Sequence, residues 1–162
     1  MKRAFLSLGS NLGDRLARLR QALDGLAEQG VCVRRASSFY KTEPVDFLPQ
    51  GWFVNCVAGV ETDLMPMRLL RACQAVERAL GRRPGVAKGP RPIDIDILLY
   101  ENAIIRSREL IVPHERLAQR RFVLVPLNEL APEARHPGLD RTVRELLHET
   151  PDRSGVIRLR SE

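Results

Sequence analysis

Apolar positions change their period several times along the chain, and those changes divide it into elements. Ala4-Phe5-Leu6-Ser7-Leu8 is a short, nearly continuous apolar run stopped by Gly9, the pattern of a buried strand. Ser10 to Asp14 supplies turn residues and a helix cap, after which Leu16, Leu19, Leu23 and Leu26 recur at helical spacing until Gly30. Val31 to Tyr40 predicts a second strand, Thr42 to Gly51 with Pro44 and Pro49 a loop, and Trp52 to Glu61 a third strand. Pro66 opens a second helix, whose apolar stripe is Leu69, Leu70, Cys73, Val76 and Leu80, with Gly81 at its end. A loop then runs to Pro92, and Ile93 to Tyr100 predicts a fourth strand.

Strand–helix–strand–strand–helix–strand is the ferredoxin-like βαββαβ order, an α+β sandwich with helices on one face of the sheet. Residues beyond 100 predict additions to that core: short strands, a helical turn near Glu115 to Gln119, and a terminal helix from Thr142 to Leu147. No linker or repeat interrupts the 162 residues, so residues 1–162 are expected to form a single domain.

Composition narrows the class. Hydrophobic residues at 44% and charged residues at 28% exclude wholesale disorder, and no apolar run approaches the length of a membrane span. The apolar stretch after Met1-Lys2-Arg3 is too short for a signal peptide, which predicts a cytoplasmic protein with no membrane partner. Cys32, Cys56 and Cys73 have neither Cys-x-x-Cys nor zinc spacing and read as buried small hydrophobes in a reducing compartment. A net charge of +6 favours anionic partners, nucleic acids and small phosphates alike.

The placement of charge says more. On the fourth strand Ile93, Ile95 and Ile97 face one way, and Asp94 and Asp96 the other. Two carboxylates about 6.5–7 Å apart along a strand suit Mg²⁺, which takes one or two carboxylates plus phosphate oxygens. A solvated outer face of an edge strand gives the same pattern. Upstream, Arg78, Arg82, Arg83, Lys88 and Arg91 are interleaved with glycines and prolines and with no acid between Glu77 and Asp94. A basic loop leading into a metal-binding strand fits phosphoryl transfer, although a merely solvated loop has the same composition. Phe53 and Asn55 share one face of the third strand, where a ring and an amide could read a flat heterocycle or simply pack in a core. Gln74 and Glu77 lie off the apolar stripe of the second helix, as ordinary solvated residues also do.

These stretches together resemble the 6-hydroxymethyl-7,8-dihydropterin pyrophosphokinase family. The resemblance rests on Leu8-Gly9-Ser10-Asn11-Leu12, Ser37 to Thr42, Phe53-Val54-Asn55, Gly89-Pro90-Arg91-Pro92-Ile93-Asp94-Ile95-Asp96-Ile97, Val112-Pro113-His114 and Phe122 to Leu127, in order along nearly the whole chain. It implies transfer of pyrophosphate from ATP to the pterin hydroxymethyl group, with release of AMP, in folate biosynthesis. It also implies roles. Asp94 and Asp96 would hold two Mg²⁺ ions, with Asp96 helping the attacking hydroxyl. Arg82 and Arg91 would engage the phosphates during transfer, His114 and Arg120 would bind the ATP phosphates, and Gln74 and Glu77 would lie on the nucleotide side. Thr42 and Val45 would flank the pterin, Asn55 would read its amide edge, and its ring would lie between Phe53 and Phe122. Partners on this reading are ATP and 6-hydroxymethyl-7,8-dihydropterin, not nucleic acid, with the chain a monomer.

Several positions depart from the commoner pattern: Lys88 for an aromatic, Pro84 for a second loop arginine, Glu43 beside Thr42, Arg121 for a glycine and Glu115 for an aromatic. The alternative from another class is a ferredoxin-like nucleic-acid-binding module. It lacks the Lys/Arg-Gly-Phe-Gly-Phe block of RNA readers and would set Asp94 and Asp96 against phosphate. A glycosyltransferase or nuclease built on the Asp-x-Asp lacks, respectively, a Rossmann-type run and a third nearby acid.

Overall fold

A computed structural model describes residues 1–45, 50–82 and 92–160. In chain order the core runs β1 (Lys2–Ser10), α1 (Arg15–Glu28), β2 (Val31–Ala36), β3 (Tyr40–Thr42), β4 (Phe53–Thr62), α2 (Pro66–Ala79) and β5 (Asp94–Tyr100). The additions are the hairpin β6 (Ile105–Arg106) and β7 (Ile111–Val112), a 3₁₀ turn Leu117–Gln119, α3 (Arg121–Leu130), the hairpin β8 (Arg135–His136) and β9 (Arg141–Thr142), α4 (Val143–Glu149) and β10 (Val156–Arg158). β1 pairs antiparallel with β5 on one side and β4 on the other; β2 and β3 both lie on the far side of β4, and β10 adds outside β3. This is the ferredoxin-like α+β arrangement that the hydrophobic pattern predicts.

Local chemistry sets the boundaries. The Asp14 side chain accepts from the Ala17 N–H at 3.1 Å and starts α1, whose Leu19, Ala22 and Leu26 are wholly buried. Full burial of each leucine contributes about 2 kcal/mol against the sheet. Pro66 stands at the first turn of α2, and Gly81, at φ +96°, closes it with a backbone that a residue bearing Cβ adopts at a cost.

Two expectations are corrected and one is extended. The predicted strand from Val31 to Tyr40 is two strands, because between Ala36 and Tyr40 it uses one residue more than β4 does. Ser37 fills the break: its hydroxyl accepts from the Val57 N–H at 2.9 Å and donates to the Ser38 carbonyl. The two core helices share one face, as expected, and the C-terminal additions supply helices to the other. α1 and α2 bury one side of the sheet with Leu6, Leu8, Val54, Cys56, Ile95 and Ile97, while α3 and α4 cover one end of the other side with Val57, Leu98 and Leu99. Residues 121–130, lastly, form a helix that the pattern did not signal. Its Val123, Leu124, Leu127 and Leu130 are buried at helical spacing, yet Val123, Val125 and the internal Pro126 are poor helix formers, and tertiary burial overrides them.

Candidate active site

The half of the sheet that α3 leaves uncovered is the floor of a cleft of about 520 Å³. Its floor follows from register. Asp94 on β5 pairs with Gly9 on β1, Gly9 with Asn55 on β4, and Asn55 with Tyr40 on β3; Ser7 stands opposite Asp96, and Phe53 opposite Thr42. Strand alternation places Asp94, Asp96, Ser7, Gly9, Phe53, Asn55 and Thr42 on one face, and all of them line the cleft. The roof comes from the β6–β7 hairpin, the segment carrying His114 and the start of α3 with Arg120 and Phe122.

One half is built around carboxylates. Arg82, just past α2, donates through Nη1 to Asp94 Oδ1 and to Glu77 Oε2, each at 2.6 Å. Glu77 Oε2 also accepts the Ile95 N–H at 2.8 Å, which fastens α2 to the start of β5. Burial raises the Glu77 pKa, with the Ile95 N–H and Arg82 opposing the rise. Burial also tends to lower that of Arg82, but the carboxylates of Asp94 and Glu77 outweigh it and hold the guanidinium charge firmly. Among the described residues no guanidinium bonds to Asp96 in this way. Burial, then repulsion from Asp94 and Glu77, pushes its carboxyl up to about 7 against the pull of Arg120 and Arg82. A group so raised stands where positive charge is in short supply. His114 lines the same half of the cleft. Burial and the nearby Arg120 hold its imidazole below its ordinary pKa, and Nδ1 accepts the Arg116 N–H at 3.2 Å, so the neutral ring carries its proton on Nε2.

The other half gathers an amide and two aromatic rings. Asn55 is 3% exposed, and its Nδ2 donates to Thr42 Oγ1 at 2.5 Å. Its Oδ1 lies over Gly9, where a Cβ would come within 2.3 Å of it. Half-buried Phe53 and Phe122 enter from β4 and from the first turn of α3, and the Arg120 guanidinium lies 5.4 Å from the Phe122 ring centroid.

The arrangement has known counterparts. The sequence profile of the 7,8-dihydro-6-hydroxymethylpterin-pyrophosphokinase (HPPK) family matches residues 5–132. The chain belongs to this family. The 2-amino-4-hydroxy-6-hydroxymethyldihydropteridine pyrophosphokinase of Methylorubrum extorquens is 44% identical over 160 residues, covering 98% of this chain and 99% of the relative. The folic acid synthesis protein fol1 of Schizosaccharomyces pombe is 42% identical over 161 residues, 99% of this chain but only 22% of that protein. Among solved structures, a Plasmodium falciparum HPPK-DHPS with pterin and p-hydroxybenzoate superposes with a TM-score of 0.73 at 18% identity, over 91% of this chain and 43% of that one. That likeness concerns the fold. HPPK membership leaves the nucleic-acid-binding alternative without support.

Of the residues singled out in the sequence, the HPPK cleft gathers Arg82, Asp94, Asp96, His114, Arg120, Thr42, Val45, Phe53, Asn55 and Phe122. Gln74 and Glu77 do not line it. Glu77 is no solvated residue: it is 8% exposed and acts from behind, through Arg82 and the Ile95 N–H. Gln74 accepts from Arg71, which pairs with the cleft residue Glu109 at 2.7 Å. Arg91, Lys88 and Pro84 lie outside the described residues. Pattern reading missed Ser7, Gly9, Arg108 and Arg116, which also line the cleft. Gly9 carries a signal, a glycine inside a strand run, but the apolar pattern ends the strand there, whereas β1 continues to Ser10.

Proposed function

We propose that this chain transfers the pyrophosphoryl group of ATP to the hydroxymethyl oxygen of 6-hydroxymethyl-7,8-dihydropterin in folate biosynthesis, within one catalytic domain in the cytoplasm. The observation that carries the reading is one cleft, on one sheet face, in which a ring-binding half adjoins a carboxylate-and-arginine half. The bond formed joins the hydroxymethyl oxygen to the β-phosphorus. The bond broken joins that phosphorus to the oxygen bridging to the α-phosphate, and AMP leaves with the electron pair.

Asp94 and Asp96 are the residues that would hold Mg²⁺, two ions on this proposal. The fit is sound: two carboxylates with phosphate oxygens are its preferred donors, and Asp96 bears surplus negative charge around it. Among the described residues no cluster of three or more His, Cys, Asp or Glu side chains forms a metal cage, so phosphate and water would complete the shell. When bound, the ions would neutralise phosphate charge. Asp96 would also help the attacking hydroxyl lose its proton. Arg82 holds Asp94 and is set to engage the phosphates; His114 Nε2–H and Arg120 face the same charge, and Arg91 joins them on the family resemblance. Phe53 and Phe122 stack on the pterin, Asn55 reads its amide edge beside Thr42, and Val45 closes the rim. Because a loose transition state asks little of a base, positioning and charge supply most of the rate.

Asp96→Ala tests the assignment. Pterin binding, followed by fluorescence titration, is expected to survive within a few-fold while turnover drops by about 10³-fold or more, as for loss of a major electrostatic group. Wild-type turnover in that variant would remove Asp96 from the chemistry.

A further inference from the structure

Residues 152–158 lie beyond the stretch that matches the HPPK profile, yet they touch both walls of the ring-binding half. On the first wall, Asp152 Oδ2 accepts the Arg121 N–H at 2.8 Å and the Ser154 carbonyl accepts from Arg121 Nε at 3.2 Å. Arg121 opens α3 immediately before Phe122, and no side chain of the cap residue Arg120 bonds there, so Asp152 satisfies that helix start from outside. Asp152 Oδ1 also accepts the Ser154 N–H at 2.9 Å, which folds the segment back on itself.

On the second wall, Gly155 and Glu43 bond twice. The Gly155 N–H donates to Glu43 Oε1 at 2.7 Å, and the Glu43 N–H donates to the Gly155 carbonyl at 3.0 Å. β10 then pairs with β3, with Val156 against Thr42, the residue that holds Asn55. Gly155 also sits beneath Trp52, the neighbour of Phe53, so closely that a Cβ would come within 2.9 Å of the indole. Phe122, Thr42 and Phe53 therefore each meet the segment directly or through the adjacent residue. Glu43 and Arg121, two of the positions that depart from the commoner sequence pattern, both spend their polar groups on it.

We propose that residues 152–158 are a tie between the two walls, and that Asp152 and Gly155 are positioning residues for the pterin. The proposal rests on the pterin reading of this half. Neither residue lines the cleft. They act by fixing the separation of Phe53 and Phe122 and the angle of β3, where a misplacement of about 1 Å is costly.

The test is steady-state kinetics of the full chain with each substrate varied in turn, together with thermal melting, for Gly155→Ala, Asp152→Ala and Asp152→Asn. Loss of a charge-assisted hydrogen bond or displacement of Trp52 is expected to raise the pterin KM about five- to tenfold, with the ATP KM within about twofold of wild type. Asp152→Asn keeps one acceptor oxygen and should recover part of the loss. An unchanged pterin KM in Gly155→Ala and Asp152→Ala would overturn the tie. So would equal rises in both KM values in step with a fall in Tm, or Asn behaving no better than Ala. If Gly155→Ala does not fold, the Asp152 pair decides. A wild-type protein that turns over no pterin would end the tie together with the reading beneath it, whereas a normal wild type with indifferent variants ends the tie alone.

Discussion

Gly9 lies between the two halves of the cleft, paired with Asp94 on one side and Asn55 on the other, so Gly9→Ala reports on the ring-binding half with one added methyl group. The new Cβ would stand 2.3 Å from Asn55 Oδ1 and 3.3 Å from Asn55 Cγ. Ordinary contact requires about 1 Å more, and the only group able to yield is the Asn55 amide, because β1 is held by ladders on both sides. A shift of that size takes Nδ2 out of hydrogen-bond range of Thr42 Oγ1 and removes the amide from the pterin edge. Each such bond contributes about 0.5–1.5 kcal/mol net, so losing two or three raises the pterin KM by roughly 10- to 100-fold. Overpacking costs about 1–3 kcal/mol of stability besides, a Tm shift readable in the same preparation. The ATP KM should stay within about twofold, since a single methyl group on the ring side leaves the phosphate groups in place. The assay is initial rate against pterin at saturating ATP, and then the reverse. A pterin KM within twofold of wild type in folded Gly9→Ala would refute the argument.

Other outcomes follow from the same geometry. Glu77→Gln removes one of the carboxylates that repel Asp96 and loosens Arg82; kcat should fall about tenfold or more while pterin affinity is kept, and a normal kcat would show that Arg82 needs no such anchor. Arg82→Lys keeps the charge but replaces the guanidinium, whose Nη1 reaches both Glu77 and Asp94, with a compact ammonium on a different stem, and is expected to lower kcat rather than raise the pterin KM; a purely pterin-side effect would contradict the assignment. Glu129 accepts from Tyr40 Oη at 2.6 Å and from the Ser38 N–H and hydroxyl, tying α3 to β3. Burial tends to raise its pKa, but these bonds outweigh it and hold the carboxyl below its ordinary value, so the stability it contributes is present above about pH 4.3 and is lost as pH falls through the depressed value. The Tm gap between wild type and Glu129→Gln should therefore narrow between about pH 6 and pH 3, and a gap that widens on acidification would reverse the sign of the linkage.

The four-stranded core was legible because its periods are clean: alternation on β4 and β5, and leucines at helical spacing on α1. The Asp94–Asp96 face followed from the same alternation, and so did the pairing of Phe53 with Asn55. What stayed hidden was decided by tertiary contact. α3 is helical despite Pro126 because four of its side chains enter a second core. Ser37 breaks a strand because its hydroxyl finds the Val57 N–H, a partner 20 positions away. Glu77 looked like a surface residue because its spacing from the apolar stripe says nothing of the Ile95 N–H 18 positions on. The bonds between Glu43 and Gly155 join residues 112 apart, and no local pattern announces them.

The most direct measurement is product stoichiometry when purified protein meets ATP, Mg²⁺ and 6-hydroxymethyl-7,8-dihydropterin, with chelator in a parallel reaction. The account predicts one AMP for each pterin diphosphate, and neither product once the metal is removed. ADP appearing with a pterin monophosphate would contradict it, because attack would then fall on the γ-phosphorus.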